Sequence, residues 1–245
     1  MGDVLVTGGT GNLGRIMVAK LREAGHDVVV LSRRPQPGHS VRGDLRTGQG
    51  IPAAVAGVDT IVHLATAPRG DAEACSRLIA AATEAGGAHL IFTSIVGVDR
   101  IPLRYYQAKK ECERLIETSG LPFTIQRATQ FHALVFRLFA TQRKLPLLLA
   151  PTFDFQPVHM RDVADRLVEH VAAGPREWVP EIGGPEIRSA RSLAQSYLAA
   201  ANRRRRIAGV GLPGRIFAGF RSGANLTPNH ADGTVTFEDY LDERL

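Results

Sequence analysis

Residues 7–14 read Thr7-Gly8-Gly9-Thr10-Gly11-Asn12-Leu13-Gly14. The apolar run Asp3–Thr7 (DVLVT) precedes them and an amphipathic stretch, Asn12 to Ala24, follows. Gly8 permits the tight turn out of a strand, Gly11 leaves the backbone bare for close approach of a pyrophosphate, and Gly14 lets the helix pack on the sheet. Unpaired N–H groups at the helix start, backed by the helix dipole, attract an anion. A glycine pattern acquires this meaning only between a strand and a helix, with a second strand about 20 residues on. Asp27–Leu31 (DVVVL) supplies that strand.

The end of the second strand decides the nucleotide. An acidic residue there accepts hydrogen bonds from a ribose 2′-OH, whereas arginine pairs with a 2′-phosphate. The sequence reads Leu31-Ser32-Arg33-Arg34, without Asp or Glu. Arg33, helped by Ser32 and Arg34, is the expected phosphate clamp, so NADP(H) is favoured over NAD(H). Asp44, in Gly43-Asp44-Leu45, is placed to accept from an adenine amino group.

Outward from the turn, short apolar runs alternate with amphipathic stretches, the signature of βαβ units. Strands are expected at 40–42, 60–64, 89–93 and 123–126, and helices at 72–85 and 105–118. After residue 128 the alternation loosens. Helices are expected at 161–173 and 188–201, a strand at 178–182, and a last helix opening at Thr236 with Asp239 as its capping-box partner. The fold class is α/β: a Rossmann-type doubly wound parallel sheet with a smaller C-terminal substrate lobe. One domain of 245 residues is expected, with residues 1–127 mainly dinucleotide-binding and 128–245 mainly on the substrate side.

Composition narrows the function classes. The chain is 44% hydrophobic and 22% charged, as in ordinary globular proteins. No apolar run approaches the roughly 18 residues of a membrane span, and no basic leader precedes the first strand, which points to the cytoplasm. Cys75 and Cys112 are too few for a disulfide framework, and no histidine spacing suggests a metal. The net charge of +6 favours anionic ligands. The run Arg203–Arg206 suits a solvated helix end better than a polyanion contact, so nucleic acid is disfavoured. The partner expected is a small-molecule substrate, and a homodimer is left open.

The glycine turn and Ser32-Arg33-Arg34 together resemble atypical short-chain dehydrogenase/reductases of the NmrA-like kind. The same holds for Ser94-Ile95-Val96-Gly97-Val98-Asp99, Ser119-Gly120-Leu121-Pro122, and Gln126 to His132 (QRATQFH). Gln156-Pro157-Val158-His159, Arg161 to Ala164 (RDVA) and Gly183-Gly184-Pro185-Glu186 extend the likeness. The resemblance implies an NAD(P)H-binding fold, in a family holding both reductases and cofactor-sensing regulators. It also implies a Tyr and a Lys one helical turn apart, with a Ser or Thr after the fifth strand.

Two overlapping pairs qualify, Tyr105 with Lys109 and Tyr106 with Lys110. Ala108, Cys112, Leu115 and Ile116 define an apolar helix face. Tyr105 and Lys109 fall on its flank, whereas Tyr106 and Lys110 are expected to point to solvent. The family spacing, with Glu113 four residues after the lysine, agrees. The catalytic set is therefore Tyr105, Lys109 and Ser94, or Thr93 beside it. A ketone that gains hydride develops alkoxide charge and needs a proton donor in place, and a neighbouring ammonium favours the phenolate. The resemblance further implies that Lys109 holds the nicotinamide ribose hydroxyls.

The expected cofactor set comprises Thr7, Gly8, Thr10, Gly11, Asn12, Leu13, Gly14, Ser32, Arg33, Arg34, Asp44, Leu45, Ala65, Thr66, Ala67, Thr93 and Lys109. Ligands sit at the carboxyl ends of parallel strands, which brings Gln130, Phe131 and His132 toward the substrate. Phe153 and Phe155 would add an apolar wall, suiting a largely apolar carbonyl or quinone. His132 reads rather more readily as a hydrogen-bonded structural histidine, and His63 as core. An NADPH-dependent reductase leads. A non-catalytic cofactor sensor that binds a protein partner, or an epimerase or lyase on the same fold, is the alternative.

Overall fold

The computed structural model describes residues 2–34, 36–67 and 69–245. In chain order the first elements are β1 (Asp3–Thr7), α1 (Asn12–Glu23), β2 (Asp27–Ser32), β3 (Ser40–Arg42), α2 (Ile51–Val55) and β4 (Thr60–His63). Then come α3 (Asp71–Glu84), β5 (His89–Ile95), α4 (Arg104–Glu117), β6 (Phe123–Ala128), α5 (His132–Ala140), β7 (Leu147–Pro151) and β8 (Asp154–Phe155). The chain closes with α6 (Met160–Ala173), β9 (Glu177–Trp178), β10 (Arg188–Ser189), α7 (Ala190–Ala200), β11 (Arg206–Val210), α8 (Arg215–Arg221) and α9 (Phe237–Asp242).

Seven strands form one sheet in the order β3-β2-β1-β4-β5-β6-β9. The chain steps outward from β1 to β2 and β3, then returns to β4 and proceeds the other way. That reversal between β1 and β4 is the topological switch point of a Rossmann-type sheet, where ligands bind at the strands' carboxyl ends. Val4, Leu5 and Val6 pair in parallel with Val28, Val29 and Val30 on one side and with Thr60, Ile61 and Val62 on the other. Central strands covered on both faces read as continuous apolar runs, which is why DVLVT and DVVVL signal β1 and β2.

The chain folds into two compact units. The first comprises residues up to Ser94, Gln107–Gln126 and Ala164–Val179. Its core includes Leu5, Val29, Ile61, Leu78, Leu90, Phe92, Ile116 and Ile125, each large aliphatic side chain contributing about 1.5–3 kcal/mol by burial. The second unit comprises Ile95–Tyr106, Arg127–Val163 and Pro180 to the end. Its core gathers Val135, Phe139, Leu148, Phe155, Leu193, Tyr197 and Phe237, alongside two small sheets, β10-β8 and β11-β7.

Thr236 caps α9 through its hydroxyl while the Asp239 carboxylate answers its N–H, the expected capping box. Other expectations need correction. The strand expected at 178–182 is only β9, followed by a lone bridge between Ala128 and Ile182. The helix expected at 188–201 begins at Ala190, because Arg188–Ser189 pair with β8 and Ser189 caps α7. Nor is Arg203–Arg206 wholly a solvated helix end. Arg205 donates to the Gln142 and Leu145 carbonyls, and Arg206 opens β11. α2, α5, β7 and α8 carry no distinct sequence signal, since each is short and packed through tertiary contacts.

Five histidines are buried with lowered pKa values; His159 is lowered by burial and the nearby Arg161 charge, and the other four shift furthest. Burial, assisted by the Lys109 charge, lowers His63 to about 3. Burial with the His170 charge lowers His89 to about 4, and burial alone dominates in lowering His132 to about 4. Burial, with Arg166 and Arg176 nearby, takes His170 to about 4. The unfolded imidazole binds a proton near pH 6.5 while the native one resists until roughly 3–4. Protons therefore favour the unfolded chain across that window, and stability present above pH 6.5 is lost as pH falls. Each group contributes a slope of about 1.4 kcal/mol per pH unit. The urea midpoint should fall steeply between pH 7 and pH 5, and His89→Gln should flatten the profile. A midpoint flat over that range would disprove protonation-linked unfolding.

Candidate cofactor site

The first unit assembles a cradle at the switch point. Gly8 adopts φ +72°, and a Cβ there would sit 2.6 Å from the Ala65 amide nitrogen. At Gly14 a Cβ would lie 2.1 Å from the Gly8 carbonyl oxygen and 2.7 Å from Gly9 Cα. Gly9, to which the motif assigns no role, packs under the turn, where a Cβ would meet Val30 Cγ1 at 2.9 Å. Gly11 differs. Its Cβ would approach only the Gly8 carbonyl oxygen, at 3.2 Å, and otherwise faces open space. Thr10, Gly11 and Asn12 are exposed. Among the described residues, no side chain caps α1 at Gly11. A bare, uncapped helix start fits a pyrophosphate.

Thr7 is fully buried, and its hydroxyl lies 2.7 Å from His63 Nδ1 while accepting from the Ala65 amide at 3.4 Å. It therefore shapes the turn by tying β1 to β4. His63 stacks on Phe92, with centroids 5.6 Å apart, as the core histidine expected.

At the end of β2, Ser32 accepts from the Arg34 amide at 3.3 Å. Arg33 and Arg34 are exposed, and neither guanidinium is salt-bridged to a described residue. Both therefore remain open to an anion. Asp44 and Leu45 are half-buried, and one Asp44 oxygen accepts from the Arg46 amide at 2.9 Å, tightening the loop. This leaves the second carboxylate oxygen for a donor.

After β4, Thr66 donates to Asp71 Oδ2 at 2.8 Å, and the Ala67 amide donates to Asp71 Oδ1. Asp71 is the residue that sequence reasoning missed. It is buried at the first position of α3, with its Oδ2 3.7 Å from Lys109 Nζ. The available signal was an acidic residue in a first helical turn. Lys109 is 4% exposed, and its ammonium stands 4.8 Å over the Phe92 ring. Burying an ammonium costs several kcal/mol unless it is paired, and Asp71 meets that need.

The buried side of α4 carries Tyr106, Lys109, Cys112, Glu113 and Ile116. The expectation that Tyr106 points to solvent is thus corrected, whereas Lys110 is exposed as expected. Apolar residues alone set the expected phase of the helix, and two inward charged groups, Lys109 and Glu113, shift it. Tyr106 packs with Val98, Ile101 and Ala224 in the second unit, and burial pushes its phenol up to about 12. Tyr105, expected with Lys109 on the flank of the buried face, is instead 39% exposed, so only Lys109 of that pair is buried. At the end of β5, the buried Thr93 Oγ1 and Ser94 Oγ have no hydrogen-bond partner among the described residues. Such orphaned hydroxyls cost about 1–3 kcal/mol each, so their retention calls for a specific role.

The expected substrate residues lie in the second unit and are mostly structural there. Gln130 donates to the Asn225 carbonyl at 2.9 Å and accepts from the Gln156 amide. Phe131 bridges Val158. His132 Nε2 lies 2.9 Å from the Val235 carbonyl, inside a ring cluster of His159, Phe237 and Tyr240, so it is the structural histidine of the two readings. Phe155 is core, while Phe153 lines a cavity of about 460 Å³ within this unit.

A family model described as NAD(P)H-binding matches residues 8–172. The chain is 45% identical over 71 residues to a 3-beta-hydroxysteroid dehydrogenase of Mycolicibacterium neoaurum, covering 26% of this chain and 19% of that protein. It is 32% identical over 138 residues to a (4-alkanoyl-5-oxo-2,5-dihydrofuran-3-yl)methyl phosphate reductase of Streptomyces griseus, covering 52% and 48%. The chain thus spans less than half the length of either relative. In fold it is similar to an NADPH-dependent quinone oxidoreductase of Escherichia coli complexed with NADPH, at TM-score 0.84 and 18% identity over 98% and 99% of the two chains. Among the described residues, no helix is long and apolar enough to cross a membrane. Turn, switch point and matched segment bear out the resemblance read from the motifs, and the chain belongs to the NAD(P)H-binding family.

Proposed function

We propose that the protein is an NADPH-preferring reductase of a small, largely apolar carbonyl or quinone. The observation that carries this reading is Lys109, an ammonium kept 4% exposed beside Asp71 and the Phe92 ring in an NAD(P)H-binding fold. Buried charges held by a specific partner in a cleft-forming fold mark functional sites. In this reading the α1 amides near Gly11 to Gly14 hold the pyrophosphate and Arg33, with Ser32 and Arg34, holds the 2′-phosphate. Asp44 and Leu45 receive the adenine, and Ala65, Thr66 and Ala67 border the cofactor. The reduced nicotinamide, when bound, supplies a hydride. Lys109 holds the ribose hydroxyls, Ser94 or Thr93 donates to the substrate carbonyl, and Tyr105 delivers the proton to its oxygen. Of the two tyrosines only Tyr105 is accessible, which supports its choice over Tyr106.

Oxidation of NADPH over a panel of quinones and aromatic ketones tests the activity. Absence of turnover, with oxidised and reduced cofactor bound equally tightly, would overturn it in favour of a cofactor sensor. The nucleotide preference has its own test. Arg33→Ala should weaken NADPH by roughly 10–100-fold, the worth of one charge-assisted hydrogen bond of about 1.5–3 kcal/mol. NADH should be nearly unaffected. Equal losses for the two nucleotides would refute the clamp.

A further inference from the structure

The second unit contains a cavity lined by its own residues alone. It measures about 460 Å³, within the roughly 300–1,000 Å³ of small-molecule sites. Phe153 and Phe220 form one wall, stacked at 15° with centroids 4.6 Å apart. Phe217 meets Phe153 edge-on, with centroids 5.8 Å apart. Gly209 and Thr152 also lie in the lining, and a Cβ at Gly209 would meet the Thr152 methyl at 3.2 Å.

Charge at the lining is uneven. Arg191 and Arg221 both border the cavity, each anchored by one guanidinium nitrogen to a backbone carbonyl, Ile207 at 3.2 Å and Leu212 at 3.1 Å. Neither forms a salt bridge with a described residue, unlike Arg188 and Arg161, which are held by Glu238 and Glu243. Their remaining donors form a planar fork suited to a carboxylate. Asp154 also lines the cavity and offsets one of the two charges. The net excess of one positive charge matches a monoanion and disfavours a dianion.

We infer that this cavity binds an aromatic monocarboxylate, its rings continuing the Phe153–Phe220 stack and its carboxylate held by Arg191 and Arg221. A further ring laid against an aromatic pair gains offset-stacking contact. The guanidinium fork gives direction to the anionic end.

Calorimetric titration of the whole protein with 2-naphthoate, with no nucleotide present, tests the assignment. Binding in the micromolar range is expected, with naphthalene-2-carboxamide at least tenfold weaker. Arg191→Gln combined with Arg221→Gln should weaken naphthoate about tenfold and leave the carboxamide unchanged. Both replacements sit at exposed positions, so an unchanged melting temperature accompanies the loss. Equal binding of the acid and the amide, or undiminished naphthoate binding in the double variant, would overturn the assignment. So would a titration without heat at millimolar naphthoate. Arg33→Ala should leave naphthoate binding intact, which separates this result from the fate of the reductase proposal.

Discussion

Gly14→Ala should abolish measurable NADPH binding and lower the melting temperature by several degrees. The added methyl would lie 2.1 Å from the Gly8 carbonyl oxygen and 2.7 Å from Gly9 Cα, both rigid backbone. Relief requires α1 to lift away from β1, at a cost of about 1–3 kcal/mol or more for overpacking. In a chain of this size that is a fall of roughly 2–12 °C. Lifting α1 also moves the amides of its first turn, so affinity should drop by two orders of magnitude or more. Gly11→Ala separates packing from ligand approach. Its methyl meets only the Gly8 oxygen at 3.2 Å and otherwise enters open space, so this variant should melt close to the parent while binding NADPH poorly. Thermal melts with and without nucleotide check both. Full NADPH binding by Gly11→Ala would remove the turn from the cofactor site.

Lys109→Met should eliminate turnover and destabilise the protein. Its removal leaves Asp71, buried to the same degree, without a countercharge, and breaking a buried pair from one side costs about 3–5 kcal/mol. Asp71 keeps the Thr66 hydroxyl and the Ala67 amide as donors, which tempers the loss. The double variant Lys109→Met, Asp71→Asn resolves structure from chemistry. Stability should recover for the most part, because no unpaired charge remains, while NADPH oxidation stays at least 100-fold below the parent. Recovery of activity together with stability would make Lys109 a positioning residue only.

The cofactor half of the molecule is legible because its signals are local. Gly11 and Gly14 answer to backbone geometry within the turn, Gly8 to its positive φ as well as to the Ala65 backbone beside it, and the DVLVT and DVVVL runs to burial on both sheet faces. The phase of α4 was less legible. Apolar residues alone pointed Tyr106 outward, whereas the buried Lys109 and Glu113 turn it inward. A buried lysine is invisible to a hydrophobicity pattern, since its partner Asp71 lies 38 residues earlier in the chain, at the start of a different helix. His132, Gln130 and Phe155 show the same limit. Their chemistry suits a pocket, and only their partners Val235, Asn225 and the second core reveal packing.

By itself the sequence determined the α/β class, the glycine turn between β1 and α1, the arginines at the end of β2 and the capping box of α9, all set chiefly by residues close together in the chain. Tertiary structure alone decided which tyrosine is exposed, what neutralises Lys109, which hydroxyls lack a partner among the described residues and where Phe153 and Phe220 line a cavity. The physical reason is range. Backbone sterics and helix capping act within a few residues, whereas the pairing of a buried charge depends on groups that only folding brings together.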